Sequence, residues 1–205
     1  MFDISQIITS LITLIEDFSY LGIIFFMFIE SSFVPFPSEI IMIPAGYLAS
    51  QQKMSLLLII LSGVVGSLFG ALFNYYLART IGINIILKFG KYIFLNRRKI
   101  EKVEIYFKKH GCISTFVGRL IPGVRQLISI PAGIAKMNLK KFCLYTSLGA
   151  AIWVTILVIF GYIFGSNLEL IKDNIILLKQ IILLSSFLVI VTYIIYSRYN
   201  KRKTF

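Results

Sequence analysis

The stretch Gly118-Arg-Leu-Ile-Pro-Gly-Val-Arg-Gln-Leu-Ile-Ser-Ile-Pro-Ala-Gly133 places Arg119 and Arg125 in a run of otherwise largely apolar residues. An unpaired guanidinium is costly in apolar surroundings, so the two arginines need a physical reason. The stretch has a counterpart in Pro35-Phe-Pro-Ser-Glu-Ile-Ile-Met-Ile-Pro-Ala-Gly46. Both copies read proline, eight residues, then Pro-Ala-Gly, and together they contain all five prolines of the chain. The chain therefore contains an internal repeat, with the second copy 87 residues after the first.

Long apolar runs indicate a membrane protein. The chain has 205 residues, of which 58% are hydrophobic and 15% are charged. Residues 55–77, 142–165 and 174–197 form runs long enough to cross a hydrocarbon core about 30 Å thick as helices. We therefore predict an all-α integral membrane protein. A cleaved signal peptide is not expected, because the N-terminus lacks a basic start and a small-residue cleavage site.

The distribution of charge predicts the orientation in the membrane. The formal net charge is +12, but no Lys or Arg precedes Lys53. The basic residues concentrate in 88–109, 136–141 and 198–203, as in cytoplasmic loops that face anionic headgroups. This pattern argues against nucleic acid as a partner and predicts a multi-pass protein with a cytoplasmic C-terminus.

Each copy of the repeat follows an apolar segment that is too short to span, 21–29 or 112–117, and precedes a full span. When the predicted spans are counted back from the cytoplasmic tail, the second copy enters and leaves the membrane on its inner face. The first copy enters and leaves on the outer face. We therefore predict two inverted repeats, 21–80 and 111–165, each a re-entrant helical hairpin followed by a transmembrane helix. The residues predicted to break the hairpins are Pro35, Pro37, Pro44, Gly46, Pro122, Pro131 and Gly133.

Interrupted segments of this kind point to a transporter binding site, because broken backbone at membrane depth must be buried in protein or line a cavity. The alternative is two ordinary kinked helices. Segment 81–110 is predicted to form amphipathic helices on the cytoplasmic surface. Residues 4–18 fit either an interfacial helix or a short span, and 174–197 is predicted to be a C-terminal transmembrane helix.

Four ionisable residues lie inside the predicted hairpins: Glu30 and Glu39 in the first, Arg119 and Arg125 in the second. Arginine stays charged and binds phosphate through its planar fork, so the pair predicts a site for the phosphate of a membrane lipid. Carboxylates in a medium of low dielectric constant take up protons more readily, which makes the two acids candidates for coupling to protons, with another coupling ion left open. The alternative is a set of salt bridges that only locks the hairpins together.

Few residues suit catalysis. Cys112 and Cys143 stand alone in apolar sequence, which predicts buried thiols without a disulfide, and His110 is the only histidine. The sequence contains neither metal-ligand spacing nor a Ser/His/Asp set. We therefore expect no enzymatic activity, no cofactor and no metal site.

The strings Phe28-Ile-Glu-Ser-Ser-Phe-Val-Pro-Phe-Pro-Ser-Glu39 and Phe116-Val-Gly-Arg-Leu-Ile-Pro-Gly-Val-Arg125 resemble the two signature regions of the DedA family. These are bacterial membrane proteins with a VTT, or SNARE-associated, domain. The glycine-rich stretch 66–82 is also similar to the family, although Ala78 stands where the family often has glycine. The resemblance implies that Glu30 and Glu39 are the essential acids, that Arg119 and Arg125 are the essential arginines, and that the protein lies in the bacterial cytoplasmic membrane.

The same resemblance implies a flippase-like transporter that returns undecaprenyl phosphate, the cell-wall carrier lipid, across the membrane. A phospholipid flippase or scramblase acting on phosphatidylethanolamine is the alternative within the same class. A non-transporting membrane-homeostasis or assembly factor is the alternative from another class. The sequence leaves open the lipid, the direction of transport, the coupling ion and the oligomeric state, a homo-oligomer included.

Overall fold

The apolar runs of the sequence form long helices. The computed structural model describes residues 4–32, 37–82, 97–121 and 124–164, and within these ranges every regular element is a helix. The helices are α1 (Ile4–Ser31), α2 (Glu39–Ser50), α3 (Leu56–Leu77), α4 (Arg97–Leu120), α5 (Val124–Leu127), α6 (Ser129–Ile134) and α7 (Leu139–Phe164). A π-helical turn, Ala78–Gly82, continues α3. The predicted all-α class is confirmed for these residues.

Helices α3 and α7 are the two described helices that are long and apolar enough to cross a membrane. Their spanning segments, Leu56–Thr80 and Leu139–Ile163, have mean hydropathies of 2.5 and 2.1. Both helices leave large apolar side chains exposed, among them Leu57, Leu61, Phe69, Leu148, Ile156 and Ile163. Such continuous apolar surface is rare on soluble proteins and is solvated by lipid chains in a bilayer. The predicted spans 55–77 and 142–165 are therefore confirmed as apolar helices, and 174–197 lies outside the described residues.

Helix α1 is interrupted at Ser19, whose φ of 52° and ψ of −141° are not helical. The interruption separates the predicted N-terminal segment 4–18 from the apolar segment 21–29. Near this break, Glu16 forms an ion pair with Lys53, in the turn after α2, and raises the pKa of that lysine through a hydrogen bond and its charge. The Tyr20 hydroxyl accepts a hydrogen bond of 2.8 Å from the Ser55 amide. These contacts fasten the turn before α3 to both sides of the break in α1.

Helix α4 belongs partly to the predicted cytoplasmic segment 81–110 and partly to the predicted second repeat 111–165. It runs from Arg97 to Leu120 and crosses the predicted boundary at 110/111 without a break. Gly111 lies at that boundary, but a single glycine costs a helix only about 1 kcal/mol relative to alanine. The basic segment from residue 97 onward is therefore continuous with the segment that carries Arg119, whereas 83–96 lie outside the described residues.

Four of the residues predicted to break the hairpins lie inside helices instead. Pro44 and Gly46 lie inside α2, and Pro131 and Gly133 lie inside α6. Pro131 is the third residue of its helix, where a backbone N–H has no acceptor within the helix and its loss costs little. Pro44 removes one backbone hydrogen bond of α2, but burial of residues 41–46 holds the helix on both sides of the proline.

The run of helices has two interruptions, one between α1 and α2 and one between α4 and α5. Pro37 lies in the first interruption, outside a helix, and precedes α2. Pro35 and Pro122 lie outside the described residues.

The two Pro-Ala-Gly glycines allow close packing between the halves of the chain. Helix α2 packs chiefly on α7, and α6 packs chiefly on α3 and its π-helical turn. A Cβ atom on Gly46 would lie 2.2 Å from the Val158 carbonyl oxygen, and one on Gly133 would lie 2.3 Å from the Tyr75 carbonyl oxygen. Each short helix thus packs against the long helix of the other half, at a separation that only glycine permits.

Helices α2 and α6 also end in the same way. Gln52 and Lys136 have left-handed φ values of 59° and 49°. The next residue donates its N–H back over five residues, from Lys53 to the Leu48 carbonyl at 3.0 Å and from Met137 to the Ala132 carbonyl at 3.1 Å. This is the Schellman arrangement, here formed without glycine.

Candidate functional site

The acids of the first half and an arginine of the second half lie in contact. Arg125, in α5, places its Nη2 atom 2.8 Å from Glu30 Oε1 and 3.9 Å from Glu39 Oε2. Only 2% of Glu30 and 7% of Arg125 is exposed, whereas 25% of the Glu39 side chain is exposed. Glu30 therefore forms the close, buried ion pair, and Glu39 forms a longer and more accessible one. Of the two arginines, it is Arg125 that contacts the acids of the first half.

Ser38 and Trp153 complete the surroundings of Arg125. Arg125 Nη1 donates a hydrogen bond of 2.8 Å to Ser38 Oγ, and Trp153 Nε1 donates one of 3.0 Å to the same oxygen. The Arg125 guanidinium carbon lies 4.8 Å from the centre of the Trp153 ring, a cation–π distance. Buried guanidinium groups need such partners, because each unpaired donor carries a desolvation cost.

Arg119, near the end of α4, is buried in a different way. It is 3% exposed, and it donates hydrogen bonds of 3.1 Å from Nη1 to the Arg125 carbonyl and from Nη2 to the Ser67 carbonyl. Its Nε atom, like that of Arg125, is buried without a hydrogen-bond partner. Among the side chains that the structure describes, no carboxylate lies within 4.0 Å of this guanidinium. Arg125 thus has carboxylates in contact with it, whereas the hydrogen bonds of Arg119 go to two backbone carbonyls.

Both arginines line one small cavity. It has a volume of about 10 Å³, which is room for about one water molecule. The residues that line it are Met27, Glu30, Ser31, Ser67, Arg119, Arg125, Ala150, Trp153 and Val154. The cavity is too small for a phosphate group.

Asn74, in α3, ties the two interruptions of the chain together. Its side-chain amide donates to the carbonyl oxygens of Ser31, Ser32 and Gln126 at 3.2, 3.0 and 3.4 Å. Ser31 is the last residue of α1, Ser32 follows it, and Gln126 lies in α5. One buried side chain therefore fixes the distance between the segments that carry Glu30 and Arg125.

Close packing also brings α7 to the site. A Cβ atom on Gly149 would lie 2.6 Å from the Cβ of Arg119. Glycine at this position lets α7 approach α4 at Arg119, and one turn later α7 contributes Trp153 to the cavity.

Sequence reasoning identified the four charged residues but not Ser38, Trp153 or Asn74. Ser38 could have been found, because it precedes Arg125 by the 87 residues of the repeat. Trp153 is the only tryptophan of the chain and lies in the middle of a span, which is a weaker signal. No signal in the sequence indicates that Arg119 bonds to backbone carbonyls whereas Arg125 contacts the two carboxylates.

The described part of the chain contains no group of three or more His, Cys, Asp or Glu side chains that could hold a metal ion. Cys112 and Cys143 are half-buried free thiols. The charged groups at the site are therefore the carboxylates of Glu30 and Glu39 and the guanidinium groups of Arg119 and Arg125.

The sequence that forms this site matches a known protein family. The model of the VTT domain matches residues 36–163, which include Ser38, Glu39, both arginines and Trp153. Undecaprenyl phosphate transporter A of Bacillus subtilis is 34% identical over 162 residues, which cover 79% of this chain and 80% of that protein.

Two other relatives carry different names. An alkaline phosphatase-like protein of Lactococcus lactis is 37% identical over 166 residues, 78% of each chain. Protein DedA of Escherichia coli is 28% identical over 157 residues, 74% of this chain and 71% of the relative. No solved structure matches the chain. With the family model covering more than half of its length, this chain is a member of the DedA family of VTT-domain membrane proteins.

Proposed function

We propose that this protein transports undecaprenyl phosphate across the bacterial cytoplasmic membrane, with Arg119 and Arg125 as ligands of the lipid phosphate. The observation that carries the proposal is the state of Arg119, which is 3% exposed and has no anionic partner among the described side chains. An unpaired buried charge costs several kcal/mol, and an anionic ligand would recover that cost. The name of the Bacillus subtilis relative supplies the lipid.

The charges around the cavity suggest how an anion enters and leaves. Two carboxylates balance two guanidinium groups when all four are ionised. A phosphate bound between Arg119 and Arg125 adds negative charge and competes with Glu30 for Arg125 Nη2, from which Glu30 now lies 2.8 Å. Protonation of Glu30 removes this competition, and protonation of Glu39 removes a further negative charge near Arg125. Proton uptake therefore favours phosphate binding, and proton release favours its departure.

The architecture proposed for this transport is a pair of inverted repeats with opposed re-entrant hairpins. Three observations support it: Ser38 and Arg125 occupy equivalent positions and hydrogen-bond to each other, α2 and α6 pack reciprocally on α7 and α3, and both end in the same Schellman turn. Equivalent residues contact each other only near a two-fold axis. The proposed axis therefore passes close to Ser38 and Arg125, and transporters commonly bind substrate where such repeats meet.

Transport by purified protein in liposomes tests the proposal. The assay follows movement of labelled polyprenyl phosphate between leaflets for the wild type, Arg119→Gln and Arg125→Gln. Arg79→Gln is the matched control, because Arg79 is exposed at the end of α3, outside the site. We expect both site variants to lose transport and the control to keep it. Wild-type rates in both site variants would exclude a role for these arginines in phosphate binding.

Labelled phosphatidylethanolamine in the same liposomes tests the alternative lipid. Faster movement of phosphatidylethanolamine than of polyprenyl phosphate would identify a phospholipid flippase or scramblase. Release of inorganic phosphate from the lipid would instead identify a phosphatase, the activity suggested by the name of the Lactococcus lactis relative. We propose that the protein is not an enzyme, because its chain has a single histidine and the described residues contain no group of side chains that could hold a metal ion.

A non-transporting assembly factor is the second candidate, and the close Glu30–Arg125 ion pair is the observation that favours it. An exchange of the two charges, Glu30→Arg with Arg125→Glu, separates the candidates. A purely structural pair tolerates the exchange, whereas a phosphate site loses its cation next to Arg119.

A further inference from the structure

A second pocket lies where α4 meets the turn between α6 and α7. It is open to the surface and has a volume of about 590 Å³, within the range of small-molecule sites. Lys108 and Lys109 line it from α4, and Lys136 and Lys141 line it from the turn and the start of α7. Phe107, Met137 and other less polar residues contribute the rest of its wall.

The four lysines make this pocket strongly cationic. All four are exposed, and none of them forms an ion pair with a carboxylate among the side chains that the structure describes. Charges of one sign gathered around a concave surface focus the electrostatic potential within it and attract ions of the opposite sign. The pocket is therefore suited to an anion with several acceptor oxygens.

The backbone that carries two of these lysines is held firmly. The Tyr75 hydroxyl donates a hydrogen bond to the Met137 carbonyl, and the Tyr75 ring stacks on Phe142 at 4.7 Å between centres. Asn138 Oδ1 accepts a hydrogen bond of 3.3 Å from the Lys141 amide and caps the start of α7. The turn thus presents Lys136 and Lys141 from fixed backbone positions, which reduces the ordering cost of binding an anion.

The pocket and the central site lie on one face of α4. Gly111, which lines the pocket, is followed at four-residue spacing by Thr115 and Arg119, and all three are buried. Eight residues of helix correspond to about 12 Å. The positively charged pocket therefore lies about one headgroup length from the arginine that lacks an anionic partner.

From this arrangement we infer that the lysine-lined pocket is a second phosphate site, distinct from the cavity between Arg119 and Arg125. Its ligand is the phosphate of a lipid headgroup at the membrane surface, with part of the lipid against Phe107 and Met137, or free phosphate. Binding at this pocket does not depend on transport; its place on the route of the lipid rests on the proposed function. The sequence predicts this face to be cytoplasmic, so the pocket would hold the phosphate at the inner leaflet.

Matched lysine variants test the inference. Lys140 and Lys141 are adjacent and exposed, but only Lys141 lines the pocket. Full-length protein in neutral detergent is titrated with short-chain phosphatidic acid and, separately, with inorganic phosphate, and binding is measured by thermophoresis. We expect Lys141→Gln to weaken binding about fivefold and Lys108→Gln with Lys141→Gln about 25-fold, at about 1 kcal/mol for each lysine. Lys140→Gln, with the same net charge as Lys141→Gln, should bind as the wild type does.

The same titrations in an Arg119→Gln background separate the two sites. Retention of the lysine effect there supports a second site even if transport assays contradict the proposed function. A lysine effect with both ligands assigns the site to the phosphate group itself, and an effect with phosphatidic acid alone assigns it to a lipid headgroup. Equal affinities of Lys140→Gln and Lys141→Gln for both ligands would show that only general surface charge matters and would overturn the inference.

Discussion

Ser38 and Arg125, which occupy equivalent positions in the two copies of the repeat, hydrogen-bond to each other at 2.8 Å in the interior of the protein. Ser38 directly precedes α2, and Arg125 lies in α5 directly after the second interruption. Both residues thus lie next to a point where the helices are interrupted, and Glu30, Arg119 and Trp153 reach the same centre from the long helices α1, α4 and α7. Pairing of equivalent positions explains how an internal repeat brings carboxylates and guanidinium groups together: each half contributes the charge that the other lacks.

Replacement of Ser38 by alanine should destabilise this centre. The Ser38 hydroxyl accepts hydrogen bonds from Arg125 and Trp153, and its loss leaves two buried donors unpaired. We expect a loss of about 2 kcal/mol, since a buried hydrogen bond to a charged group contributes about 1.5–3 kcal/mol. Thermal unfolding in detergent measures the loss. Ser50→Ala, which removes a hydroxyl bonded only to the local Tyr47 carbonyl, is the control, and equal melting temperatures of the two variants would contradict the prediction.

Trp153 should report the arrival of a ligand. It is the only tryptophan of the chain, and its ring lies 4.8 Å from the Arg125 guanidinium. A phosphate that binds Arg125 changes both the charge and the hydrogen bonding next to the indole. We expect polyprenyl phosphate to change the tryptophan emission of the wild type in a saturable way. Arg119→Gln should show no saturable change, and an identical response in this variant would argue that the lipid binds elsewhere.

Alanine at Gly46 or Gly133 should destabilise the packing between the halves. The added Cβ atoms would lie 2.2 Å and 2.3 Å from backbone carbonyl oxygens of α7 and α3, which cannot move independently. Overpacking of this kind typically costs about 1–3 kcal/mol. Gly111→Ala is a suitable control, because its Cβ would meet only side-chain atoms, the nearest at 3.3 Å.

Thermal unfolding of the three glycine variants measures this difference. If Gly46→Ala and Gly133→Ala unfold at the same temperature as Gly111→Ala, the proposed close approach between the short and long helices is incorrect.

Asn74→Leu should loosen the link between the end of α1 and α5. The substitution removes the donor to three carbonyl groups, those of Ser31 and Ser32 at the end of α1 and that of Gln126 in α5. Buried carbonyls left without a donor cost about 1–3 kcal/mol each when no water replaces it. We expect lower stability and a loss of transport, although Asn74 does not line the cavity between the arginines. Wild-type transport with wild-type stability would show that this clamp is dispensable.

The long helices and the opposite charges of the two halves could be predicted from the sequence, whereas the individual contacts of the arginines could not. Apolar length predicts α3 and α7, because a long apolar run has few alternatives to a helix in lipid. The sign of each charge predicts that Glu30 and Arg125 face each other. The different surroundings of Arg119 and Arg125 could not be predicted, because they depend on which backbone carbonyls the fold brings close, here that of Ser67.

The proline rule failed where tertiary packing outweighed local preference. Pro44 is held inside α2 by burial on α7, and Pro131 falls in the first turn of α6, where it costs little. The Pro-Ala-Gly pattern is informative about packing rather than about helix ends, since both of its glycines lie where backbones of the two halves approach closely.

The most direct measurement of the central claim is an experimental structure of the protein with bound polyprenyl phosphate. The account predicts the phosphate within hydrogen-bond distance of the Arg119 and Arg125 guanidinium groups, with the 2.8 Å contact between Glu30 and Arg125 broken and the small cavity enlarged. A lipid phosphate bound elsewhere, with that contact and the cavity unchanged, would contradict it.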